Sequence, residues 1–141
     1  MLFALATWLI MIPCISSAEY NSNKMGQAVG GLLAATDMLM KFSNSECSYI
    51  VIKSYSVDKT FSEVLPYLPK KDRVQAKDYF TSSVFEKQLQ ENDRFIEGFL
   101  AAGKKDGLDT KTLCGMMASI ISMNYPKAVQ QWEYAKENYS K

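Results

Sequence analysis

Most acid–base and metal chemistry at neutral pH relies on an imidazole, and this chain of 141 residues has no histidine. Ser-His-Asp and Cys-His nucleophilic machinery is therefore excluded, and so is the commonest metal ligand. Carboxylate chemistry of the glycosidase kind stays open, and Glu86, Glu91, Asp93 and Glu97 are close enough in the chain to ask whether they form such a site. They alternate with Lys87 and Arg94 at helical spacing. Asp93 and Glu97, four residues apart, fall on one outward face, and a solvated charged face is the reading this pattern favours. No catalytic residue, cofactor or metal site is expected.

The remaining reactive groups are thiols, at Cys14, Cys47 and Cys114. Which of them survive depends on the first eighteen residues. That stretch has no charged side chain and ends in Ser16-Ser17-Ala18, while every Lys, Arg, Asp and Glu comes later. An apolar run closed by Pro13 and followed by small residues is the pattern of a cleaved export signal, with Glu19 as the mature start. A membrane anchor needs roughly 20 apolar residues, more than this run supplies before Pro13. Lipoprotein processing at Cys14 needs a small residue where Pro13 stands. Export places the mature chain in an oxidising compartment, periplasmic or secreted, with Cys47 and Cys114 as its only thiols, so a disulfide between them is expected. A redox pair or metal site is disfavoured by the absence of Cys-x-x-Cys and of histidine.

Subtracting 18 from 141 leaves 123 residues, enough for one domain with one core. All 16 basic and 15 acidic residues lie in this part, which is nearly neutral and has no field to attract nucleic acid or anionic membrane. Lys70-Lys71 with Arg73, and Lys104-Lys105, each have an acid beside them, Asp72 and Asp106, and read as solvated helix ends.

The elements that must position these groups are helical throughout, giving an all-α bundle of about five to six helices. Glu19 to Asn23 reads as a polar, loose start. From Lys24, apolar residues recur at Met25, Val29, Leu32, Thr36, Leu39 and Met40 with helical spacing. Gly26, Gly30 and Gly31 lower the propensity of this first helix, and close contact with a neighbouring helix is the reading they suggest. Cys47 to about Tyr55 is expected to be a second, buried helix, since a lone strand there could not satisfy its backbone. Thr60-Phe61-Ser62-Glu63 has capping-box spacing and predicts the start of a short helix that Pro66 and Pro69 stop. Helices are predicted over 70–79 and 83–104, the second bounded by Gly103 and Gly107. Asp109 or Thr110 caps the most apolar helix, and Asn124-Tyr125-Pro126 predicts a turn launching a final amphipathic helix.

Two features suggest binding. Met116, Met117 and Met123 could line an adaptable groove, with core filling as the alternative. The tyrosines and Trp132 combine contact area with a polar tip. The segment from Val57 to Arg73, with Tyr67 as anchor beside Lys70, Lys71 and Arg73, joins the turn at Lys104, Lys105 and Leu108 as the candidate partner-binding surface.

The layout, with Cys47 after the first helix and a second cysteine in Leu113-Cys114-Gly115-Met116, resembles the periplasmic immunity proteins that neutralise cell-wall amidase effectors of the type VI secretion system. That resemblance implies a helical, often dimeric protein that blocks an effector enzyme with a protruding loop. A second likeness is to small acid-stress chaperones of the periplasm, which are shorter. The expected function is that of an exported, non-enzymatic binding protein with another protein as partner, most concretely an inhibitor or immunity protein. A chaperone-like or small apolar-ligand-binding protein is the alternative, and it predicts an apolar cavity beside Met116, Met117 and Ile120.

Overall fold

The computed structural model describes residues 20–50 and 53–140, so the expected signal at 1–18 lies outside the described residues. Five α-helices follow one another: α1 (Ser22–Ser43), α2 (Val57–Val64), α3 (Lys70–Phe80), α4 (Ser83–Lys105) and α5 (Thr110–Tyr139). Single 3-10 turns stand at Ser48–Ile50 and Leu65–Tyr67, and no strand occurs among the described residues. The chain is an all-α single domain.

Four of the helices start where a side-chain oxygen can take an otherwise orphaned backbone amide. Asn21, Ser56, Ser82 and Asp109 accept from the amides of Lys24, Lys59, Phe85 and Thr112 respectively. α4 ends in a Schellman turn, with the Leu108 amide bonded to the Gly103 carbonyl and the Gly107 amide to that of Lys104. Gly107 holds φ at +84°, the left-handed conformation that glycine adopts without penalty.

α1 runs antiparallel to α5. The Asn21 amide donates to the Tyr139 carbonyl at one end of the pair, and Cys47 is bonded to Cys114 at the other, with Cα atoms 5.3 Å apart. Burial falls into two clusters along these helices. One gathers Met25, Val29, Phe61, Val64, Phe85 and Trp132; the other gathers Leu39, Phe42, Ile96, Leu113, Met117 and Ile121 around the disulfide. Tyr125 packs against both.

α1 and α4 are joined by a charged network. The Lys41 ammonium lies 3.1 Å from Asp37 Oδ2 and 2.7 Å from Asp93 Oδ2, and it donates to the Leu89 carbonyl. Asn92 donates to Asp37 Oδ2 at 2.7 Å and to the Ala34 carbonyl at 3.1 Å. Asp37 is fully buried. Removing Lys41 would leave that carboxylate without its counter-charge, a costly change in a low-dielectric site.

Three local expectations are corrected. Directly after Cys47 stands a 3-10 turn, Ser48–Ile50, rather than the start of a buried helix: Ser48 and Tyr49 are exposed, while Cys47 is held inside by its bond to Cys114. α2 starts at Ser56, not Thr60. Starting there brings Val57 onto the same face as Phe61 and Val64, all three buried, while the Thr60 hydroxyl donates back to the Ser56 carbonyl. Finally, Asn124-Tyr125-Pro126 is not a turn, and α5 continues through Pro126. Its inward positions, Cys114, Met117, Ile121, Tyr125, Ala128, Trp132 and Ala135, keep three- and four-residue spacing across the proline. The carbonyl that loses its partner belongs to Ser122, an exposed position open to water.

Pro126→Ala restores that hydrogen bond and is expected to stabilise the protein, by up to about 3 kcal/mol in a urea melt. A loss of stability would mean that the chain needs a turn there. Reducing the disulfide, which closes a separation of 67 residues, should lower the melting temperature while helical circular dichroism survives below it. The chain-entropy estimate for such a loop is about 4 kcal/mol. Two freely alkylatable thiols in the folded, unreduced protein would contradict the bond.

Candidate functional site

Glycine in an exposed helix costs about 1 kcal/mol relative to alanine, so a cluster of glycines calls for a steric reason. Gly103 has one: a Cβ there would collide with the Leu113 side chain, which brings α4 and α5 together. Gly26, Gly30 and Gly31 do not. A Cβ on any of them meets nothing within 4 Å, so the expected helix contact at this part of α1 is not made. Instead all three line a groove of about 720 Å³ between α1 and α3.

The floor of the groove is apolar, with Val29, Leu33, Phe61, Leu68 and Phe80. Its far wall, α3, buries none of its own residues. α3 is held by its ends: the Tyr20 hydroxyl donates to Asp72, and the Tyr79 hydroxyl donates to Gln88. Phe80 stacks on Phe61 with ring centroids 4.0 Å apart and meets Phe85 at 5.1 Å. Partial burial and the Asp72 bond push the Tyr20 hydroxyl up to about 12, and hydrogen bonds from Tyr20 and Ser22 hold the Asp72 carboxyl below its usual range. Both shifts favour a neutral phenol bonded to an ionised carboxylate. Pro69 starts the wall, and Arg73 braces it by donating to the Leu68 and Pro66 carbonyls at 2.6 and 3.0 Å.

A second groove of about 530 Å³ lies where α1, α4 and α5 diverge, lined by Met38, Phe95, Ile120 and Tyr125 among others. Glu91 borders both grooves. Of the three residues beside which a ligand carrier would place an apolar cavity, Ile120 lines this second groove, while Met117 is fully buried and Met116 is 46% exposed; Met123 is 68% exposed.

No family model, no curated protein and no solved structure matches this chain. Its function must be argued from its own residues.

The four acids considered for catalysis are dispersed. Glu91 pairs with Arg94 at 2.5 Å, Asp93 with Lys41, and Glu86 and Glu97 are exposed. Among the described residues, no three His, Cys, Asp or Glu side chains are placed to hold a metal ion. The residues of the sequence-derived partner surface are not brought together either. Tyr67, 45% exposed, lies edge-on to Trp132 with centroids 5.7 Å apart, under the Lys136 ammonium at 5.2 Å. Lys70 and Lys71 are exposed at the start of α3, while Arg73 turns back onto its own loop. Lys104 pairs with Glu46 at 2.5 Å and Lys105 is exposed, both at the Leu113 end of α5. Trp132 and Leu113 are 19 positions apart on one helix, about 28 Å.

Sequence reasoning missed the groove although its trace was visible. Gly26, Gly30 and Ala34 recur every fourth residue, which puts small side chains in a row on one face. What the sequence could not supply was whether a neighbour already filled the space above them. Gly26→Ala and Gly30→Ala should each stabilise the fold by about 1 kcal/mol, whereas Gly103→Ala should destabilise it, as read by urea melts. Destabilisation by the first two would show that the groove wall is packed internally after all.

Proposed function

We propose that this chain is an exported, non-enzymatic binding protein that receives part of another protein in the groove between α1 and α3. The observation that carries this reading is the groove itself: about 720 Å³, apolar at its floor, and walled by three glycines that lower helix stability without any internal contact to offset it. Volume of this size with an apolar lining and a few polar groups suits recognition. The mature start expected at Glu19 lies next to Tyr20, which closes one end of the groove. Among the described residues no helix is long and apolar enough to cross a membrane, and the Cys47–Cys114 bond suits an oxidising compartment.

An inhibitor or immunity role is the most concrete form of this reading. Such a protein needs a recognition surface and no chemistry of its own, and the Tyr67-Lys70-Lys71 edge borders the groove through Leu68 and Asp72. An apolar small-molecule carrier is the second reading, favoured by a volume within the range of roughly 300 to 1,000 Å³ typical of ligand sites.

An immunity protein is usually encoded beside its toxin, so the test co-expresses this chain with the adjacent gene's product exported to the periplasm. Growth should be rescued by the wild type and not by Gly30→Leu, whose side chain fills the groove, while the melting temperatures of the two stay within a few degrees. No rescue and no complex by the wild type would end the immunity reading. Equal rescue by Gly30→Leu would place the contact elsewhere.

A further inference from the structure

The next step rests on the reading above, that the groove receives part of another protein, and concerns which part. We infer that the occupant is an amphipathic α-helix of about four turns, turning small residues toward α1 and carrying a lysine or arginine near each end.

The dimensions favour a helix. The α1 wall extends from Ser22 to Ala34, and twelve steps at 1.5 Å give about 18 Å, with Tyr20 beyond its start. Across it stands α3, an eleven-residue helix with no fully buried residue, whose Ala76 and Phe80 meet the groove from the other side. The α1 wall is bare backbone at Gly26, Gly30 and Gly31. Helix pairs that meet through small residues reach the short end of the usual 8–10 Å interaxial range. A partner helix with its own small-residue face would seat there, with larger apolar side chains reaching Phe61, Leu68 and Phe80 on the floor.

Charge sets the ends. Asp72 and Glu91 line the groove, and no lysine or arginine does. Asp72 is at the Tyr20 end, bonded to that hydroxyl, which holds its pKa below the usual range and keeps it anionic with further acceptor positions free. Glu91 is at the Ala34 end, next to Asn92, whose amide holds the Ala34 carbonyl. Its present partner, Arg94, sits three residues along the same exposed helix face, an arrangement that contributes little and yields readily to another cation. The two carboxylates are thus separated by most of the groove's length. A helical occupant meets both if its cationic residues are about 11 to 14 positions apart. The rim between them offers amides from Gln27, Gln75 and Gln88, which can bond polar side chains of either kind.

The test uses the folded, oxidised protein and two capped helical peptides of about 16 residues with an alanine stripe, one ending in lysines and the other in glutamates. Amide shifts of Gly26, Gly30 and Gly31 locate binding by NMR, and anisotropy of labelled peptide gives affinity. The lysine peptide should shift all three glycines saturably and bind at least about tenfold tighter than the glutamate peptide. Glu91→Lys, which leaves the Tyr20–Asp72 bond intact, should remove most of that preference, and Gly30→Leu should abolish both binding and shifts. Equal affinities, or a preference for glutamate, would overturn the charged-helix inference while leaving the groove a binding site. Glycine shifts produced by the anionic aromatic dye 8-anilinonaphthalene-1-sulfonate and by neither peptide would overturn it in favour of a small ligand. No shift from any of the three probes would overturn both this inference and the groove reading beneath it.

Discussion

The bundle depends on α5 remaining one helix. At 30 residues it is about 45 Å long, and both buried clusters take side chains from it, Leu113, Cys114, Met117 and Ile121 at one end and Trp132 and Ala135 at the other. A break at Pro126 would separate two half-cores, each too small to be stable alone. The missing hydrogen bond is tolerated because it frees a carbonyl on the wet side, while the residue before it, Tyr125, packs against both clusters and meets Tyr55 at 5.3 Å. Once α5 is continuous, α1 has a track along which to lie antiparallel, and the Asn21–Tyr139 hydrogen bond and the Cys47–Cys114 bond fix its two ends.

The Lys41 network then decides how α1 sits on α4. Seating one ammonium between Asp37, Asp93 and the Leu89 carbonyl permits a single register. Burying Asp37 costs desolvation, and one of its oxygens, Oδ1, finds no partner among the protein's groups, which offsets the gain from the ion pair. The network's contribution is to position. Asn92 ties Asp37 and the Ala34 carbonyl together at the point where α1 meets α4, and this contact separates the two grooves.

Helical periodicity made much of this architecture legible, the all-α class and the extents of α3 and α4; capping chemistry narrowed the start of α5 to Asp109 or Thr110, of which Asp109 is the cap, and the pairing of Cys47 with Cys114 followed from the count of thiols left after the expected export signal. Errors arose where local punctuation competed with long-range packing. Pro126 and Asn124 read locally as a turn, yet the inward spacing of Tyr125, Ala128 and Trp132 already continued that of Cys114, Met117 and Ile121. Thr60 to Glu63 matched a capping box, but Ser56 was the cap that kept Val57 with Phe61 and Val64. Cys47 is inside as expected while Ser48 and Tyr49 beside it are exposed, because one covalent bond can hold a residue in the core without a helix to carry it. The two halves of the candidate surface lie apart for a different reason: Tyr67 ends the Leu65–Tyr67 turn and Lys104 is in the last turn of α4, and pattern alone gives no distance along α5.

The groove follows from the same mechanics. α1 must be straight and long to follow α5, and it is pinned at Asn21, at the Lys41 network and through the turn to Cys47. A helix so constrained by its neighbours can carry three glycines without fraying, since tertiary contacts rather than intrinsic propensity hold it. α3 is the reverse case: an eleven-residue helix with no buried residue, braced by Arg73 and by hydrogen bonds from Tyr20 and to Gln88. A rigid bare wall therefore faces a lightly held one. Side chains on α1 would make the protein more stable and the space narrower, so the glycines keep the groove wide at a cost the rest of the bundle can bear. An occupant that fills it would add the packing that α3 lacks, and the binding energy would come largely from contacts the free protein leaves unmade.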